Sequence, residues 1–248
     1  MLNDTIIFLL AGLIGGAVNG AAGGAKLFVF PMLLASGLPP IAANVTQGIA
    51  LWPAQLPAVW VYRKELLQDL RALALQMVPA LIGALLGAII MINSDEKSFV
   101  SVIPFLLAIA VIAIFLGPKS AVLMRSAFPG NKLKFATAVF LFAIGFYGGY
   151  FGAGMGFMLL AVLSASLNSG LGSVNGAKNL MAFGIQTVAV IPMALSGLVD
   201  WNAAALVLIG GIAGGYIGAN ITRAMPEKYI RWSVAALGVF LTLSFLLR

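Results

Sequence analysis

Long, uninterrupted apolar runs fill this chain, and no water-soluble fold of its size can bury them. Helix-length segments recur at residues 41–62, 70–92, 98–116, 173–196, 201–222 and 227–247. Each is close to the ~20 residues needed to span hydrocarbon. Two longer apolar stretches, 5–36 and 132–167, stand apart from these six. Only 8% of the residues are charged, and the mean hydropathy is +1.08. A soluble domain carries about 25% charged residues. The runs are continuous rather than alternating, so helices carry them and not barrel strands. The expected class is an all-α polytopic membrane protein.

Glycine breaks the two longer stretches at corresponding places in the two halves. The first break reads Gly20-Ala21-Ala22-Gly23-Gly24-Ala25-Lys26. The second reads Gly148-Gly149-Tyr150-Phe151-Gly152-Ala153-Gly154-Met155-Gly156. Glycine allows positive φ and close backbone approach, so a helix can stop there and offer its backbone to a ligand. Paired breaks of this kind are the best sequence pointer to the binding site of a repeat-built transporter. The arms before the glycines hold about 14–18 residues, and those after them about 10–12. An arm of 14 reaches only roughly 21 Å, short of a ~30 Å core.

Basic residues separate a hairpin from a single crossing. If all eight segments cross once, the better orientation leaves eight basic residues inside and four outside (Lys97, Arg223, Lys228, Arg231). If both broken segments are hairpins, ten lie inside: Arg63, Lys64, Arg71, Lys119, Arg125, Lys132, Lys134, Arg223, Lys228 and Arg231. Only Lys97 and Arg248 then remain outside. The positive-inside rule favours the hairpins. Three crossings separate them, so they enter from opposite sides. The expected fold is therefore two inverted-topology repeats, each a Gly-broken hairpin plus three transmembrane helices, with the hairpin tips meeting near the midplane. The first repeat is expected over 1–117, a cytoplasmic linker over 118–133 and the second repeat over 134–248, within one transmembrane domain.

The polar residues give this interior a sign. The chain has no cysteine and no histidine, and its seven acids fall in loops or at segment ends. That leaves no base or nucleophile for an intramembrane enzyme and no midplane carboxylate for a cation pump. No catalytic residue, metal or cofactor is expected. The net charge of +7 sits in loops, as membrane orientation requires, and does not form a nucleic-acid patch. Met1-Leu2-Asn3-Asp4 lacks the positive region of a signal peptide, so the first apolar run is expected to be retained. Lys26 and Lys178 lie in apolar surroundings without a buried acid to pair with. A buried ammonium needs a partner, and an anionic substrate is the simplest one; snorkelling to the headgroups is the bland alternative. Thr46-Gln47 pairs with Lys178-Asn179 at an offset of 132 between the halves, and Asn44 pairs with Asn175 at 131, two registers one residue apart. Their donors suit an oxyanion, and ordinary interhelical bonding is the competing role. Asn19 and Tyr150 flank or lie within the breaks, while Gly23, Gly24 and Gly154 supply backbone at them.

Asn19 to Gly24, Phe30-Pro31, Gly37-Leu38-Pro39-Pro40, Ala42 to Gln47 and Leu51-Trp52-Pro53 together resemble the sulfite exporter TauE/SafE family. So does Tyr147 to Gly156, with Ala177-Lys178-Asn179-Leu180 and Leu195 to Trp201 downstream. The resemblance covers essentially the whole chain. It implies a secondary transporter of small sulfur-containing anions such as sulfite or organosulfonates. Lys26 departs from the family's pattern, which often has a small or hydroxyl residue after the glycines. The expected function is alternating-access anion transport in the bacterial inner membrane. A passive anion channel and a non-transporting scaffold are the alternatives. The expected partners are the small anion and the lipid bilayer, with a homodimer left open and no nucleic acid.

Overall fold

The structure is a computed structural model and describes residues 2–22, 24–61, 63, 70–167, 170–224 and 227–246. Gly23, Lys64, Glu65, Asp69 and Arg248 lie outside the described residues. Among the described residues every regular element is helical. In chain order they are α1 (Leu2–Ala22), α2 (Lys26–Ala35), α3 (Pro40–Leu51), a 3₁₀ turn (Pro53–Gln55), α4 (Leu56–Val61) and α5 (Leu70–Ile92). Then follow α6 (Glu96–Ala127), α7 (Asn131–Tyr150), α8 (Met155–Ser166), α9 (Leu171–Leu195), α10 (Trp201–Ala224) and α11 (Glu227–Leu246).

The chain is an all-α polytopic membrane protein. Among the described residues, Leu73–Ile92, Glu96–Leu116, Asn131–Tyr150 and Gly172–Leu195 are long and apolar enough to cross a membrane. Leu75, Phe105, Ile212 and Phe240 point outward with more than half of their surface exposed. Such side chains suit hydrocarbon and would be costly in water.

Three sequence expectations change. The segment 41–62 is not one unbroken α-helix: α3 ends at Leu51, a 3₁₀ turn follows, and α4 begins at Leu56. Pro53 has no N–H to give to the preceding turn, and the α-helical ladder gives way there to the 3₁₀ turn. Residues 118–133 are not a loop: α6 runs on to Ala127, leaving only Phe128–Gly130 between α6 and α7. The extension is held by packing and hydrogen bonds, because Met124 is buried and Arg125 reaches the end of α8. The helices before the breaks also do not stop at the first glycine but run on into the clusters, α1 to Ala22 and α7 to Tyr150. The opening turn of α7 is polar (Asn131, Lys132, Lys134), and its apolar part starts at Phe135.

The two ends of α6 tie down the start of α3 and the end of α8. The Ile41 N–H, in the first turn of α3, donates to the Glu96 carboxylate at 3.1 Å. Asp95 caps α6 by accepting the Ser98 N–H at 2.9 Å. Hydrogen bonds from Ser98 hold the Asp95 carboxyl below its ordinary range. At the other end of α6, the Arg125 guanidinium donates to the carbonyls of Ser164, Ala165 and Leu167, which finish α8. Cationic donors at a helix C-terminus meet unpaired carbonyls and the negative end of the dipole. These two contacts, one just past the first broken segment and one at the close of the second, lie about 44 Å apart along α6 at 1.5 Å per residue.

Two close helix pairs frame the molecule, α1 on α10 and α7 on α5. A Cβ on Gly16 would lie 2.1 Å from the Gly211 carbonyl oxygen, and one on Gly149 would lie 2.0 Å from that of Ala84. Only glycine admits backbones this close. α2 folds back along α1: a Cβ on Gly15 would meet Val29 at 2.4 Å. In the centre, Phe30 of α2 meets Phe151 edge-on at 5.3 Å, and Phe99 of α6 stands 6.4 Å from both rings. These three side chains are essentially fully buried. Each such aromatic contact contributes about 0.5–1.5 kcal/mol beyond its buried area.

Candidate functional site

The two breaks meet. α7 ends at Tyr150, and Gly152 and Gly154 take positive φ (79° and 70°) before α8 begins. A helix that stops in this way leaves its last carbonyls without helical donors. Here, side chains from several helices supply the donors. Lys26 Nζ, at the start of α2, donates to the Phe151 carbonyl at 2.9 Å. Asn44 Nδ2 of α3 donates to the Tyr150 carbonyl at 2.9 Å. Gln186 Nε2 of α9 donates to the Gly148 carbonyl at 3.3 Å. The Tyr147 hydroxyl donates to the Ala153 carbonyl at 2.5 Å. Four carbonyls between residues 148 and 153 are therefore served by side chains.

Lys26 is the charged member of the cluster. It is only 7% exposed, and among the described residues no carboxylate bonds to it. One carbonyl uses one of its three protons, leaving two. Gly152 makes room for its head, and Gly48 lies in ordinary contact with it. A Cβ on Gly152 would stand 3.0 Å from Nζ and 3.3 Å from Gln186 Nε2, and one on Gly48 would stand 4.0 Å from Nζ. Asn44, Gln47 and Gly48 fall on one face of α3, at spacings of three and four residues. Gln47 Nε2 donates to Asn44 Oδ1 at 3.1 Å, steadying the side chain that holds Tyr150. The amide oxygens of Gln47 and Gln186 are buried and accept no hydrogen bond. A fully buried polar atom left unpaired costs about 1–3 kcal/mol, so each calls for a ligand or a rearrangement.

The expected site residues divide into two groups. Lys26, Gln47, Tyr150 and Gly154 belong to the junction. Tyr150 joins it through its backbone carbonyl, while its ring packs on Phe99 and Phe146. Gly154 is the left-handed residue before α8, and buried Gly24 accepts the Leu27 N–H at 3.1 Å where α2 starts. Gly23 is outside the described residues. Thr46 is fully buried, but its hydroxyl oxygen accepts the Asp200 N–H at 3.0 Å, which ties α3 to the turn before α10. Lys178 and Asn179 sit half-buried on α9, and Lys178 is bonded within the protein. They stand about 10–12 Å along the helix from Gln186. Asn19 is half-buried near the end of α1.

Asn44, Gln186, Gly48 and Phe151 complete the junction. Asn44 and Gln186 could be noticed as amides inside apolar segments. Phe151 contributes a carbonyl, which no side-chain pattern reveals. The Trp52 ring lies on Phe183 of α9 with centroids 5.9 Å apart. Its Nε1 donates to the Thr187 hydroxyl at 2.8 Å, so the end of α3 stays on α9 where the ladder breaks.

Two bacterial proteins are similar to the chain over most of its length. A "Probable membrane transporter protein" of Haemophilus influenzae is 25% identical over 236 residues, covering 95% of this chain and 92% of its own length. The "Probable membrane transporter protein YfcA" of Escherichia coli K12 is 21% identical over 229 residues, covering 91% and 83%. No solved structure matches the chain. The sulfite exporter TauE/SafE family pattern matches residues 8–245, nearly the whole chain, and the protein belongs to that family of membrane transporters.

Proposed function

We propose that the protein is a secondary transporter carrying a small sulfur-containing anion, of the sulfite or organosulfonate class, across the bacterial inner membrane by alternating access. The observation that carries this reading is Lys26. Its ammonium lies at the meeting of the two breaks, 2.9 Å from one carbonyl and without a carboxylate among the described residues. A small anion placed on its two remaining protons would supply the missing countercharge. Amide protons of Gln47 and Gln186 can turn toward the same anion. The start of α8 adds the positive end of its dipole. Lys178, Asn179 and Asn19 would then meet the anion on its way to or from the junction.

The inverted-repeat reading has support of its own. The α1–α10 seam has a counterpart in α7–α5, and α6 bonds the start of α3, just past the first broken segment, at one end and the close of the second at the other. Rocking one repeat against the other around the junction would alternate access.

A thermal-shift series on purified protein with sulfite, sulfate, thiosulfate, sulfoacetate, taurine and simple carboxylates tests the substrate class. Sulfur oxyanions should stabilise the protein. Lys26→Ala should weaken the response by roughly 10–100-fold, the worth of a charge-assisted hydrogen bond. Equal affinity in Lys26→Ala would remove the ammonium from the site. Proteoliposomes should show trans-stimulated uptake; flux without trans-stimulation would point to a channel.

A further inference from the structure

From the geometry of the junction we infer that the Lys26 ammonium occupies the place of a coupling cation, so that this chain binds its anion without sodium. The inference rests on the anion-transport reading above and extends it. In transporters with broken helices, freed carbonyls and half-helix C-terminal ends coordinate the coupling ion beside the substrate. The end of α7 is such a place. Its terminal carbonyls face inward, and the negative end of the helix dipole points at them.

Three observations place the ammonium there. Lys26 Nζ sits 2.9 Å from the Phe151 carbonyl, just past the last residue of α7. Its head is admitted by the bare backbone of Gly152, where a Cβ would stand 3.0 Å from it. Amide oxygens without partners lie close by. Gln186, which bonds the neighbouring Gly148 carbonyl, and Gln47, which braces Asn44, each keep a buried amide oxygen that accepts no hydrogen bond. Without the ammonium the Phe151 carbonyl would lose its donor, and turning the Gln186 amide, whose nitrogen would stand 3.3 Å from the same Gly152 Cβ, would bring its oxygen toward the place an alkali cation could take. A hydroxyl at position 26 would add one more oxygen. A tethered cation cannot leave with the substrate, so the anion would move without a sodium partner.

The test compares wild type, Lys26→Ser and Lys26→Arg in chloride salts of sodium, lithium, potassium and N-methyl-D-glucamine at equal ionic strength. The melting temperature is the readout, and no substrate is added. Wild type and Lys26→Arg should melt at the same temperature in all four salts. Lys26→Ser should melt roughly 5–10 °C higher in sodium than in N-methyl-D-glucamine, as expected for an ion well above its Kd. A Lys26→Ser protein indifferent to all three alkali ions would overturn the inference. A sodium-specific rise in wild type would overturn it too. Should Lys26→Ser fail to fold, Lys26→Gln supplies the oxygen at position 26 and is judged by the same comparison. Failure of the anion reading shows separately, as a wild type stabilised by none of the anions in the substrate series.

Discussion

Gly152 shows how tightly the junction is built. Its φ of 79° disfavours any side chain, and a Cβ there would stand 2.8 Å from the Gly148 carbonyl oxygen as well as 3.0 Å from Lys26 Nζ. Gly152→Ala should therefore destabilise the protein by more than about 1 kcal/mol and lower its melting temperature by at least roughly 2–4 °C. It should also weaken anion binding, because the ammonium must shift. Unchanged binding in a destabilised variant would show that the Lys26 head does not depend on this backbone. Lys26 and Gln47 were legible in the sequence because a cation and an amide stand out against alanine and leucine. The Lys26–Phe151 bond was not legible, since it joins residues 125 positions apart and its acceptor is a main-chain atom. Thr46 is a contrasting case: its hydroxyl suits an oxyanion, yet the fold places the Asp200 N–H against it at 3.0 Å. A residue type limits what a side chain can bond to, and the partner is set by which helix lies opposite.

Helix seams come next in scale. The α1–α10 and α7–α5 pairs both rest on glycine where backbones nearly touch, with Gly16 facing Gly211 and Gly149 facing Ala84. Gly16→Leu and Gly149→Leu should each force a seam apart and cost at least about 1–3 kcal/mol, with melting temperatures falling accordingly. A control such as Gly170→Leu, where a Cβ meets nothing within 4 Å, should melt near wild type. If the seam variants matched this control, the close packing would be absent in solution. Breaks and apolar lengths were visible in the sequence because glycine clusters and hydropathy are local. Helix ends were harder to place. Pro118 and the basic residues after it suggested a loop, but α6 continues to Ala127, where Arg125 caps the end of α8. That capping contact spans about 40 residues, so no local window contains it. The break at Trp52-Pro53 was visible as a proline, but its anchorage on Phe183 and Thr187 was not.

For the whole molecule, the chain's lack of cysteine makes topology directly measurable. Ser98 lies in the first turn of α6 and Ser126 in its last turn, and both are exposed. In otherwise cysteine-free protein in intact cells, Ser98→Cys should react with a membrane-impermeant maleimide. Ser126→Cys should react only after the membrane is opened. Labelling of both from the same side would overturn the opposed insertion of the two broken segments. α6 itself carries a further consequence. Its 32 residues extend about 48 Å, well beyond a ~30 Å hydrocarbon core. Glu96 near its start bonds the first turn of α3, just past one broken segment, and Arg125 near its end holds the close of the other. On the inverted-repeat reading the insertion depths of the two segments would be coupled through this one helix. A change in bilayer thickness should then tilt α6 with both attached, where neither segment can slide alone. Membrane thickness would thereby reach the junction as a change in angle instead of a change in depth.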